Sequence, residues 1–218
     1  MYKKGDFHIH STASDGEFNP EEIIKISKER KVDIISITDH NTTKSIEEAI
    51  YYGEKYKIKV IPGVEISTRY KGSKVHILGY FRSDMYKKNS FKRYLKLIKN
   101  HNIKKLKNSL KGIININIGS NRLSTVSGIK LLKLFDALVV LAHPVSIDKK
   151  YVDEIMKLDF DGIEAKHYRN KLEDTEYFIN KAIENNMFYT AGSDFHNTNP
   201  KDLKHGIIGD VFLNSEEI

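Results

Sequence analysis

Residues 6–40 run DFHIHSTASDGEFNPEEIIKISKERKVDIISITDH, a strand, a helix and a second strand in succession. Asp6 to His10 alternates as a strand does, so that His8 and His10, two residues apart, share one face. Asn19-Pro20-Glu21-Glu22 then supplies an N-cap, a proline at the first helical position and a glutamate placed for a capping box. Val32 to Thr38 is an isoleucine-rich second strand that ends at Asp39-His40. The same rhythm continues outward. A helix is expected from about Ser45 to Tyr56, a strand over Ile58–Ile61, a turn at Pro62-Gly63 and a strand over Val75–Phe81. Further strands are expected at Leu138–Leu141, Gly162–Ala165, Phe188–Thr190 and Ile207–Leu213, with helices at Lys149–Leu158 and Leu172–Asn185. Repeated β-α units predict an α/β fold with a largely parallel sheet, open or closed into a barrel.

Residues 84–135 break this rhythm. Phe91, Leu95, Ile98 and Leu106 form a helical stripe, and Ser124 to Leu134 suggests a second helix. Asn115, Asn117, Gly119, Ser120 and Asn121 lie between them. The segment is too small for a core of its own and is expected to be a basic helical insertion or cap on a single domain spanning 1–218. Between Arg82 and Lys133, 14 Lys and Arg stand against one acid, Asp84, while the remainder carries 22 basic and 28 acidic side chains. That asymmetry fits a solvated lysine-rich helix, or a surface that steers an anionic substrate.

At 218 residues, 39% hydrophobic and 30% charged, the chain has the composition of a globular protein with one sizeable core. Its longest apolar run, Ala137–Ala142, is far too short to span a bilayer, and no membrane partner is expected. There is no cysteine, which excludes disulfides and thiolate metal sites. If His8 is a ligand, no cleavable signal peptide precedes it, and a cytoplasmic enzyme without an obligate protein partner is the expectation.

Most candidate site residues fall at or just past the C-terminal ends of the expected strands, where β/α barrels build their sites. They are His8, His10, Asp15, Asp39, His40, Glu65, His76, His143, Asp194 and His196. Each has an ordinary reading when taken alone. Asp15-Gly16 is a turn, Asp39-His40 a helix entry with Thr42 or Thr43, Glu65 a surface acid, His76 a core histidine and His143-Pro144 a loop. Taken together, imidazoles and carboxylates in this number suit Zn, Mn or Fe and can hold more than one ion.

Order and spacing add a resemblance. The run from Asp6 to Gly16 is similar to the first motif of the PHP (polymerase and histidinol phosphatase) superfamily. Thr38-Asp-His40, Pro62-Gly-Val-Glu65, His76, Ala142-His-Pro144 and Gly192-Ser-Asp-Phe-His196 resemble its later motifs in the same order. The resemblance implies a distorted (β/α)7 PHP-type barrel and a centre of three divalent or trivalent metal ions. The first ion would take His8, His10, Glu65 and Asp194; the second Glu65, His76 and His143; the third Asp15, His40 and His196. Asp39 would orient a ligand rather than bind.

The implied reaction is phosphate ester hydrolysis by a hydroxide held between two ions. Its substrate would be a phosphorylated small molecule, a nucleotide or a nucleic-acid end. Asp15, with Ser14 and Gly16, resembles the form found in nucleotide phosphatases and 5′-to-3′ exonucleases of the superfamily. Those relatives carry a larger insertion than the 66 residues between His76 and His143 here. Alternatives are a histidinol phosphatase, another small phosphomonoesterase, or a non-catalytic metal-binding module. His167 and Arg169, just past the strand ending at Ala165, are expected on a loop overhanging the metals, where both can grip phosphate. Tyr168 between them is a candidate for stacking on a base.

Overall fold

The computed structural model describes residues 2–116 and 121–217, so Asn117, Gly119 and Ser120 lie outside the described residues. Strand β1 (Lys4–Ile9) leads to α1 (Pro20–Glu29). Its capping box is formed: the Glu22 amide donates to Asn19 at 3.0 Å, and the Asn19 amide donates to Glu22 at 2.8 Å. Ile23 and Ile24 of α1 pack with Ile9, Ile35 and Ile37, so every residue of β2 (Ile34–Ile37) is buried. Next come α2 (Ile46–Tyr56) and the short β3 (Lys59–Val60).

A long hairpin follows, β4 (Gly63–Tyr70) with β5 (Ser73–Phe81). Only its second strand was expected. β4 hides because Glu65 is as buried as Val64 and Ile66 on either side, so polarity along the strand does not report its faces. Its loop, Lys71-Gly72, has φ of 46° and 90°, the left-handed pair of a tight hairpin turn.

A 3₁₀ turn at Asp84–Lys87 precedes α3 (Asn89–Lys99), α4 (Ile103–Ser109) and α5 (Thr125–Leu134). The single helical stripe is thus two helices, broken where His101 takes φ 57°. Phe91, Leu95, Ile98, Leu106 and Leu132 share one core cluster with Val64, Ile66, Val75 and Ile77 of the hairpin. The chain completes with β6 (Ala137–Leu141), α6 (Lys149–Met156), β7 (Gly162–His167), α7 (Leu172–Glu184), β8 (Phe188–Gly192) and β9 (Leu213–Asn214).

The strands form two mixed sheets, ordered β3-β2-β1-β9 and β4-β5-β6-β7-β8. Antiparallel pairing of β4 with β5, β5 with β6 and β1 with β9 corrects the expectation of a largely parallel sheet. Nor do the strands close into one hydrogen-bonded (β/α)7 barrel. Among the described residues, isolated backbone bridges join the sheets at Ile9–Phe195 and His40–Glu65. At both seams the backbone turns left-handed, at Asp194 (φ 54°) and Asn41 (φ 52°), which interrupts regular pairing beside the site residues. The expected strand over 207–213 shrinks to two residues, because Gly209 (φ 79°) makes a turn whose amide donates to Asp6. No helix among the described residues is long and apolar enough to cross a membrane.

Candidate metal centre

The ends of both sheets meet over one cluster. His8 and His10 bring their Nε2 atoms within 3.1 Å of each other at the end of β1. Glu65 Oε2 from β4 lies 3.4 and 3.2 Å from those two atoms, and Asp194 Oδ1 from beyond β8 lies 3.3 and 3.4 Å from them. A tetrahedral cation with bonds of about 2.0–2.2 Å places its ligand atoms about 3.3–3.6 Å apart, which these spacings approach. His8 is oriented for that role: its Nδ1 faces buried Glu164 Oε1 at 2.9 Å, so the Nε2 lone pair points into the cluster.

Glu65 is the hub. Its Oε1 lies 2.7 Å from His76 Nδ1 and 3.1 Å from His143 Nε2, while Oε2 also lies 3.0 Å from His40 Nδ1. Asp15 lies 3.3 Å from His10, 3.5 Å from His196 and 3.6 Å from His40. Among the described residues, five overlapping groups of three or four side chains have the spacing to hold an ion. His8, His10 and Asp194 form one, and Asp15, His40 and His196 form another with His10 added. Glu65, His76 and His143 are not gathered as one group; Glu65 joins His143 with His8, and His76 with His40. The last group, Asp194 with His196 and His205, brings in a histidine not anticipated.

The donor set fits metal ions. Among the described residues, buried His76 Nε2 and His143 Nδ1 have no hydrogen-bond partner, and such nitrogens can offer a lone pair to a cation. Charge points the same way. Burial opposes ionisation of Glu65, yet His76, His40 and His8 hold its pKa well below the carboxylate range. Burial likewise disfavours Asp194 as an anion, and His8, His10 and His167 outweigh it. On His8, burial is outweighed by Glu164, Asp194 and Glu65, which raise its pKa well above the usual value. Burial pushes His40 down to about 4, leaving the neutral imidazole that metals bind.

Local backbone is bent to serve the cluster. His143 and Asp194 hold φ of 26° and 54°, conformations that cost about 1–3 kcal/mol each outside glycine. Gly192 is required next to Asp194 because a Cβ there would run into Glu164 and His8. The carbonyl of Asp39 accepts from the Glu65 amide at 3.3 Å, while its carboxylate turns to the loop before it. It accepts from Ser11 N at 2.8 Å, Ser11 Oγ at 2.7 Å and Ser14 Oγ at 2.7 Å, and also from Ser45, which ties the loop carrying Asp15 to the end of β2.

His167 and Arg169 part company. His167 is the last residue of β7 and is buried, which corrects its expected place on an overhanging loop. The Arg169 amide donates to its Nδ1 at 3.1 Å, so Nε2 carries the proton and faces Asp194 Oδ2 at 3.4 Å. Arg169 does stand at the mouth of the roughly 630 Å³ cavity above the cluster, with Lys74 and Lys204, and donates to Ser146 at 2.9 Å. Tyr168 is exposed beside it, and its ring approaches Gly206.

Two residues escaped the sequence reading. Glu164 receives both His8 Nδ1 and, at 2.6 Å, the His143 amide. The signal was an acid inside the apolar run of a strand. His205 stacks on His196 at 4.0 Å, with Nδ1 held 2.8 Å from Asp202 and Nε2 3.9 Å from Asp194. It lies on a loop whose path no periodicity reveals.

Known proteins share these features in part. The chain is 42% identical over 79 residues to a 5′-3′ exoribonuclease of Haemophilus influenzae, covering 36% of this chain and 29% of that protein. It is 35% identical over 74 residues to a 3′,5′-nucleoside bisphosphate phosphatase of Chromobacterium violaceum, covering 34% and 26%. The chain thus spans less than a third of the length of these relatives. The solved structure of a candidate metal-dependent phosphoesterase from Bifidobacterium adolescentis superposes over 98% of this chain and 93% of that one, with a TM-score of 0.76 at 18% identity, a likeness of fold. A family model described as the PHP domain matches residues 6–189, from the first strand to the last long one, and the chain belongs to that family.

Proposed function

We propose that this chain hydrolyses phosphate esters at a centre of three metal ions, Zn, Mn or Fe, held by His8, His10, Asp15, His40, Glu65, His76, His143, Asp194 and His196. The observation that carries this reading is Glu65, buried with both carboxylate oxygens within 3.4 Å of histidine nitrogens from four different strands or strand ends. Such ions, when bound, acidify water for attack on phosphorus and neutralise charge on the phosphate. The chain's own residues do the rest. Glu164 fixes His8, Asp39 fixes the loop of Asp15, and Arg169, steadied by Ser146, reaches the cavity mouth to pair with a phosphate. His167, buried, places its Nε2 3.4 Å from Asp194 Oδ2 and so helps to position that carboxylate.

The substrate class is a nucleotide or an oligonucleotide end, a reading supported by the names of the two curated relatives. The chain acts as one domain over 1–218, with residues 84–135 as its cap. Metal-loaded protein is to be tested against nucleoside monophosphates, 3′,5′-bisphosphonucleotides, histidinol phosphate and 5′-phosphorylated oligonucleotides. Turnover on a nucleotide or oligonucleotide, abolished by His8→Ala and by Asp194→Ala, is expected. Activity surviving both substitutions refutes the site; turnover of histidinol phosphate alone refutes the substrate class.

A further inference from the structure

A second cavity, of about 460 Å³, adjoins the metal centre. Asp15 and His40 line the first cavity, while their near neighbours Ala13 and Asn41 line the second. Its walls carry five cations: Lys44 from the loop after His40, and Lys92, Arg93, Lys96 and Lys99 from α3. Lys92, Lys96 and Lys99 recur at helical spacing and share one face over about 10 Å of axis. The other face of α3, with Phe91 and Ile98, is locked into the core.

What separates this hollow from an ordinary solvated helix is missing countercharge. Among the described residues only Lys92 of the five has an acidic partner, Glu47 at 3.6 Å. Asp84, the one acid of the basic segment, is taken by Lys87 at 3.0 Å. Positive charge has therefore been gathered, largely without countercharge, in a groove beside the candidate metal centre, where Asn41 of the groove donates its amide to the Glu65 carbonyl at 2.8 Å.

We propose that this groove binds the phosphodiester backbone of a single-stranded oligonucleotide whose terminal phosphate reaches the metal centre. The proposal rests on the phosphoesterase reading and narrows its substrate from a free nucleotide to a strand. No aromatic side chain lines the groove, so contacts go to phosphates rather than bases. Binding is accordingly tolerant of sequence and steep in salt dependence.

Fluorescence anisotropy with a 5′-phosphorylated RNA of about twelve nucleotides tests this, in EDTA so that binding is read apart from turnover. Lys44→Glu, Lys96→Glu and Lys99→Glu together reverse the groove. Lys104→Glu, Lys105→Glu and Lys107→Glu on α4 impose the same change of net charge elsewhere. The groove triple is expected to weaken binding about 30-fold or more and to lower the salt slope by about 2, against less than about threefold for the α4 triple. The corresponding Lys→Gln triples serve if reversal disturbs folding. Equal losses from both sites, or none from the groove, overturn the proposal, as does binding to phosphatidylglycerol vesicles but not to RNA. Hydrolysis of bis-p-nitrophenyl phosphate by metal-loaded protein runs in parallel and should survive the groove triple. If the binding pattern holds while no ester is turned over, the phosphoesterase reading fails and the groove stands.

Discussion

At the scale of single residues, the chain spends its buried charge on orientation. Glu164 is completely buried; it accepts from His8 Nδ1 with one oxygen and from the His143 amide with the other. Glu164→Gln keeps the shape but turns an NH₂ towards one of these two donors. We expect it to weaken metal affinity by about 10–100-fold, read by competition with a chromogenic chelator; unchanged affinity would show that His8 needs no anchor. The histidines and acids of the cluster could be picked out in sequence only jointly, by their number, order and spacing, since each has an ordinary reading alone. Glu164 could not, since one acid in a strand has no pattern until its neighbours are known. His205 was equally hidden: its approach to Asp194 depends on the fold of the loop after residue 196.

At the scale of elements, capped helices were legible, and so were the strands that carry His8 and His76, but β4, which carries Glu65, was not. The α1 boundary follows from Asn19, Pro20 and Glu22, all local interactions. β4 depends on β5 for its pairing and on the centre for the burial of Glu65, and neither is local. Helix α3 shows how far the segment 84–135 has merged with the core. Phe91 is fully buried, with ring contacts at 5.3 Å to Phe81 and 4.7 Å to Phe135. Phe91→Ala should cost about 3–5 kcal/mol and shift a single cooperative urea transition. A separate early transition, with the main one unmoved, would instead mark the segment as an independent cap.

At the scale of the whole molecule, the site exists only because two sheets meet edge to edge. Burial alone would strip the charge from His8 and His10, but the surrounding carboxylates raise both pKa values well above normal. A metal ion that binds these imidazoles must therefore compete with protons for them. Metal affinity should fall as pH is lowered, with protons released on binding. Calorimetry at pH 7 in buffers of different ionisation heat measures that release, and heats independent of buffer would count against it. Chelation should also lower the melting temperature, because bound ions stabilise the folded state by mass action. The sequence by itself determined the β/α rhythm, the capped helices, the inventory of candidate ligands and the concentration of positive charge, since each is written in local spacing or composition. Only the tertiary structure decided that the strands form two mixed sheets rather than a closed barrel, that Glu65 is the hub, and that Lys44 faces the cations of α3. Those outcomes depend on contacts between distant segments, and no local preference encodes a partner that lies tens of residues away.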